Sequence, residues 1–342
     1  MTFRRLPACI CVVILCALSA APLRGQHHDM QGMRMAMPVS STATLAVKND
    51  AAEQVLTVKL GPLNLPANTS HMRTAQPPPQ FLKIPFDGWI IAYHPSLVDA
   101  KANVIPGRLL HHVAFYNTAR PDFVCPNKQE HIFGAGGEMN DWPATPGFGY
   151  RVRPGDRIRI TSMFHNPTAV SYPAAYLEVR MDYRKTGSAG APLKSVYPTW
   201  LDVKSCGDSS YDLKPGRNVT TGDVSLNYPG ILLGVGGHMH DYGRELVLTN
   251  LSRKQTVATL DSKLDASGHM LSMPIVLFMK EGGYKVAKGD RMEVTATYLN
   301  PTGRPLREGA MGIVVGYFLP ADEQQFARLH HSGIDRGRVK PE

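Results

Sequence analysis

Cysteine is scarce: there are five in 342 residues, and Cys9, Cys11 and Cys16 share one apolar stretch near the N-terminus. The remaining two, Cys125 and Cys206, stand in neither a Cys-x-x-Cys motif nor a Cys/His nucleophile setting, which argues against thiol redox and thiol nucleophile chemistry. Long apolar runs are also missing. The best candidate, LPACICVVILCALSAA, is shorter than the roughly 20 residues a membrane span needs. Arg4 and Arg5 precede it and PLRGQ follows, the pattern of a cleaved export signal over residues 1–25, with no membrane span left after cleavage. Export leads to an oxidising compartment, where the last two cysteines are expected to form one disulfide. No Lys/Arg block with interleaved aromatics accompanies the net charge of +9, so nucleic acid is not an expected partner.

Extended runs of helix formers are few, whereas Gly 31 and Pro 27 supply abundant turns. Short segments alternate or run apolar between those turns, among them GWIIAYH, LLHHVAFYN, RIRITSMFHN, AYLEVRMDY, ILLGVGGHMH, RMEVTATYLN and MGIVVGYFL. This pattern predicts an all-β chain of antiparallel sandwiches. An internal repeat divides it: PGDRIRITSMFHNPT (154–168) matches KGDRMEVTATYLNPT (288–302), so one β module is used twice. The expected layout is a Met/His-rich leader at 26–43, an N-terminal domain at 44–203, a C-terminal domain at 204–322 and a basic tail at 323–342. The leader, QHHDMQGMRMAMPVSSTA, reads as a linker or as a copper-collecting tail, and both readings stay open.

The two copies of the repeat differ where chemistry would sit. His165 in the first copy is matched by Leu299 in the second. The first half also carries the adjacent pair His111 and His112. The second carries His238 and His240, preceded by Gly236 and Gly237, and later Met311 in a strand-like run. Residues at i and i+2 of a strand share a face, so His238 and His240 can converge on one ion. Adjacent His111 and His112 would point to opposite faces of a regular strand, and can share an ion only at a strand end or a bulge, or through unequal use of Nδ1 and Nε2. Taken singly, such residues are ordinarily surface or core side chains. His131, His269, His330 and His331 fit no pattern and read as structural or solvated. Together, a three-imidazole set and a two-imidazole set with a thioether suit copper cycling between its two oxidation states, better than zinc.

The order His-His, lone His, His-x-His, then a late Met resembles the copper type II, ascorbate-dependent monooxygenases, the peptidylglycine α-hydroxylating and dopamine β-hydroxylating enzymes. LLHHVAFYN, PGFGYRV and YPGILLGVGGHMHDYGREL resemble further segments of that family, over roughly residues 85–320. The resemblance implies two tandem jelly-roll domains facing across a solvent-filled cleft, with a copper ion in each. It implies an electron-transfer site at His111, His112 and His165, and an oxygen-activating, catalytic site at His238, His240 and Met311. It also implies O2, a small-molecule substrate, and ascorbate or another one-electron reductant as electron donor. The family's carboxylate-gripping Arg is replaced here by Gly236, and its Asn and Tyr after the Met by Ile313 and Val315. A peptide C-terminus therefore has no clamp, and a smaller, apolar substrate is expected. The expected function is an exported copper monooxygenase hydroxylating a C–H bond; the alternative is a non-catalytic copper-binding or copper-handling protein. Nothing in the sequence bears on oligomeric state.

Overall fold

The computed structural model describes residues 43–331 apart from positions 140 and 191, with side chains of the closing helix as far as Arg328. The expected export signal, nearly all of the expected leader, the end of the tail and the side chains of His330 and His331 lie outside the described residues.

Strand alternation is carried directly into burial. Along Tyr172–Lys185, Ala175, Leu177, Val179, Met181 and Tyr183 turn inward between exposed or half-buried neighbours. Along Asp290–Asn300 the same is true of Met292, Val294, Ala296 and Tyr298. Two hydrophobic cores result. The first lies between a six-stranded sheet containing Val55–Leu65, Tyr172–Lys185 and Gly88–Val98, and a four-stranded sheet ordered Gln80–Lys83, Arg157–Phe164, Leu110–Pro121, Gln129–Gly136. The second lies between a sheet of Tyr197–Asp202, Ile313–Pro320, Gly230–His238 and Ile275–Leu277, and a sheet of Gly216–Leu226, Asp290–Asn300, Gly243–Asn250 and Gln255–Asp261. Pairing is antiparallel apart from Lys194–Ser195 against Phe148–Val152. The chain is thus nearly all β, as the sequence pattern requires.

The cores do not divide cleanly along the chain. Phe123, Val124 and Cys125 pack into the second core from the first half. Tyr197, Leu201 and Val203, just before the expected boundary at 203/204, pack there as well. Cys125 and Cys206 form the expected disulfide. The tail begins with a helix, Glu323–His331, that buries Phe326 in the second core. No helix among the described residues is long and apolar enough to cross a membrane.

The repeat is a scaffold device. Gly155 and Gly289 take φ of +88° and +86°, a turn conformation that glycine adopts without steric strain. Asp156 then accepts the N–H of Arg153, and Asp290 that of Ala287. At the far end of each strand a buried asparagine organises the next turn. Asn166 donates to the carbonyls of Leu65 and Val170 and accepts the Thr168 N–H and hydroxyl. Asn300 donates to the carbonyls of Leu213, Lys214 and Arg304 and accepts the same two groups of Thr302. Replacing Asn300 by Ala leaves the buried Leu213 carbonyl without its donor and removes the bonds to three part-buried backbone groups, and is expected to cost about 1–3 kcal/mol. The expected readout is a lower denaturant midpoint at unchanged slope; a midpoint equal to wild type would show that the amide is not part of the scaffold.

Candidate metal centre

His111 sits where pairing of Leu110–Pro121 with Arg157–Phe164 shifts register, between Leu110 and His112. This irregularity meets the requirement that neighbouring histidines face one another: their Nδ1 atoms are 3.2 Å apart. His165 follows the strand Arg157–Phe164 directly, its N–H donated to the Leu109 carbonyl. Its Nε2–H donates to the Arg108 carbonyl at 2.6 Å, which leaves the Nδ1 lone pair free. The rings of His111 and His165 are 5.3 Å apart.

His238 ends the strand Gly230–His238, and His240 stands two residues on, with ring centroids 5.5 Å apart. Met311 does not lie within a strand, as its apolar setting suggested. It occupies a two-residue break between Leu306–Ala310 and Ile313–Pro320. A side chain at Gly312 would collide with Ala296 and Val203, which shows how tightly the break is packed. One phenol ties both segments together. The buried Tyr298 hydroxyl accepts the His240 N–H at 3.0 Å and the Met311 N–H at 3.1 Å, and donates to the Met311 carbonyl.

The resemblance implied a solvent-filled cleft between two sites. Instead, the His111 and His240 rings meet at 4.5 Å, so imidazoles from the two ends of the chain form one continuous cluster. A cavity of 270 Å³ is lined by His71, His111, His165, His238 and His240. A smaller one of 100 Å³ lies against His112, Glu138, His238, Met311, Ile313 and Val315. Ile313 and Val315 thus reach the cavity beside Met311, as does Gly237. Gly236 does not line either cavity: it pairs with Val315 and its open space is taken by the Trp142 ring, 3.0 Å from where a Cβ would lie.

Two residues of the cluster, Glu138 and His71, carried no signal of their own in the sequence, and a third, Tyr298, carried a faint one. Glu138 receives the His238 Nδ1–H at 2.9 Å and the Gly136 N–H at 2.9 Å. His71 lies 4.8 Å from His111, ring to ring. Tyr298 matches Phe164 in the repeat, so the added hydroxyl was the visible clue to it.

Burial disfavours protonation throughout. It holds His71, His165, His111 and His240 below the ordinary imidazole value, the last two far below, and the neighbouring imidazoles add to this for His111 and His240. His112 is brought down to about 4, first by burial and then by His238. Burial would lower His238 too, but the Glu138 carboxylate outweighs it and raises the value.

Among the described residues no three His, Cys, Asp or Glu side chains converge as an assembled metal site. The fit to a metal rests on other observations. The Nε2 atoms of His238 and His240 are buried with no hydrogen-bond partner, an expensive state for a polar atom. A carboxylate on the far nitrogen of His238 is the arrangement that orients a ligating imidazole. Neutral imidazoles with a thioether nearby make a donor set suited to copper. His111, His112, His165, His238 and His240 are therefore placed at one cluster, and Met311 lines the smaller cavity beside His112 and His238.

Tyr298→Phe removes one hydroxyl and leaves two N–H groups and a carbonyl without it, so it is expected to destabilise by about 2–4 kcal/mol in denaturant unfolding. Tyr93→Phe, at a buried hydroxyl with no partner, is expected to leave stability unchanged or raise it. Equal effects of the two substitutions would refute the bridging role.

No family model matches the chain. Two curated relatives do. The probable copper-dependent oxygenase clz3 of Cochliobolus lunatus is 26% identical over 252 residues, covering 66% of this chain and 77% of the relative. The probable copper-dependent oxygenase M1 of a Phoma species is 25% identical over 235 residues, covering 62% of this chain and 58% of the relative, less than two thirds of its length. Among solved structures, a chain of Sulfolobus turreted icosahedral virus aligns at TM-score 0.32 and 12% identity, over 87% of this chain and 98% of that one. The mavirus major capsid protein aligns at 0.21 and 11% identity, over 92% of this chain and 93% of that one. Both scores are too low to bear on fold or function. The sequence relatives place the chain beside proteins named as copper oxygenases.

Proposed function

We propose that the chain is an exported copper-dependent monooxygenase of two tandem jelly-roll domains, one around each core. It hydroxylates a C–H bond of a small, apolar substrate with O2 and an external one-electron reductant of the ascorbate type. His111, His112 and His165 are assigned to the first of two copper ions, and His238, His240 and Met311 to the second. The observation that carries the reading is the meeting of the imidazoles from distant parts of the chain, with the His238 and His240 Nε2 atoms buried and unpartnered and Met311 lining the cavity beside His112 and His238. The names of both sequence relatives support copper and oxygenase chemistry. The disulfide and the N-terminal signal pattern support export.

Copper at such positions supplies one-electron redox chemistry and, at an open coordination position, activation of O2. The chain's residues do the rest. Glu138 holds His238 in one tautomer, with Nε2 presented as a lone pair. Tyr298 fixes the spacing of the His240 and Met311 backbones. Val113, Ala114, Ile313 and Val315 line the small cavity beside Met311, giving an apolar substrate a place to displace water. That cavity favours catalysis over storage, because a storage site would be closed by a further ligand.

Copper stoichiometry and copper-edge X-ray absorption on the reduced protein test the reading. Two coppers per chain are expected, with a sulfur scatterer that disappears in Met311→Ile while the first copper stays. One copper would return the chain to the copper-handling alternative, and none would leave a purely structural jelly roll; either would overturn the monooxygenase reading. Glu138→Ala is expected to weaken copper retention at the second site by about 10–100-fold against a chelator; retention equal to wild type would remove Glu138 from the site.

A further inference from the structure

We infer that His71 is a fourth nitrogen donor at the metal site of His111, His112 and His165. The inference rests on the reading of that site as a copper site. His71 lies 40 residues before His111 in the chain, outside every motif, yet its ring is 4.8 Å from that of His111. It lines the larger cavity together with His111, His165, His238 and His240, and of these it is the His111 ring that it approaches; His112 lines the smaller cavity.

The segment bearing His71 is fastened to the same backbone that positions His165. Thr69 and Asn166 exchange N–H and carbonyl hydrogen bonds, both at 2.7 Å, just beyond His165. Just before His165, the Gln76 side chain accepts the Phe164 N–H at 2.7 Å and donates to the Phe164 carbonyl at 2.8 Å. The same Gln76 amide donates to the His71 carbonyl at 3.2 Å. Gln76 is buried, and a buried primary amide spent on such a clasp holds His71 and His165 in fixed relation.

A fourth imidazole has a chemical consequence. Four nitrogen donors close a copper site against O2 and suit it to taking up and passing on electrons, while the His238, His240 and Met311 site keeps an open position. The difference between the two sites would then lie in His71 as much as in Met311.

The test uses the full chain loaded with copper alone. His71→Phe keeps the ring volume without a donor nitrogen; His71→Ala removes the side chain; thermal melting verifies that each is folded. Electron paramagnetic resonance of the oxidised protein is expected to show one of two copper signals changed in both variants. X-ray absorption is expected to lose imidazole scattering but keep the sulfur scatterer, and the first copper should be retained about tenfold less well against a chelator. Spectra and retention equal to wild type in the folded His71→Phe protein would overturn the inference. His165→Ala, run in parallel, separates the two levels. If it strips the first copper while His71→Phe does nothing, the site reading stands and His71 falls; if neither substitution matters, both fall.

Discussion

The hydrogen bond from His238 to Glu138 joins the two ends of this protein, and the geometry of the cluster depends on it. Glu138 follows the strand Gln129–Gly136 on the first core, and His238 closes a strand on the second. The Glu138 side chain is 1% exposed, and a carboxyl group so deeply placed is tolerated only with good partners. The Gly136 N–H and the imidazole provide two, both to the same oxygen. The other carboxylate oxygen is buried without one, beside the cavity that Met311 lines. With His238 so held, His240 is two residues away and the contact with His111 follows.

Around this link, duplication and divergence can be followed residue by residue. The Asp and Asn that organise the turns are the same in both copies and make matching hydrogen bonds. Between them, Phe164-His165 in one copy becomes Tyr298-Leu299 in the other. His165 faces the cavity, while Leu299 is exposed to solvent. The second copy has lost an imidazole and gained a phenol that braces the segments of His240 and Met311. Scaffold and chemistry have thus been varied separately within one fifteen-residue unit.

Much of this was legible beforehand, for identifiable reasons. Period-two burial wrote the strands into the hydrophobic pattern, and residue counting gave the disulfide. The order of the motifs singled out histidines that the fold brings close together, and the pairing irregularity at His111 is one of the arrangements that the adjacent pair allowed. What could not be read depends on long-range proximity. Glu138 and His238 are 100 residues apart, and no local pattern distinguishes that glutamate from a surface one. His71 sits in a polar loop whose docking is decided by Gln76 and Asn166. Met311 reads as strand core because its neighbours are apolar, although Gly312 and the Tyr298 hydroxyl hold it in a break. The closeness of the His111 and His240 rings depends on how the two cores meet, which spacing along the chain does not encode.

The disulfide gives the molecule a topology as well as a crosslink. Cys125 and Cys206 are 81 residues apart, so the chain is covalently a ring with two arms. His111 and His112 lie on the N-terminal arm, His165 in the ring, and His238, His240 and Met311 on the C-terminal arm. The stretch after Lys185 is an exposed turn within the ring. A protease cutting there opens the ring but releases nothing: the two polypeptides remain one molecule, with every proposed ligand aboard. Only cleavage together with reduction would divide the molecule covalently, leaving His111, His112 and His165 on one piece and His238, His240 and Met311 on the other.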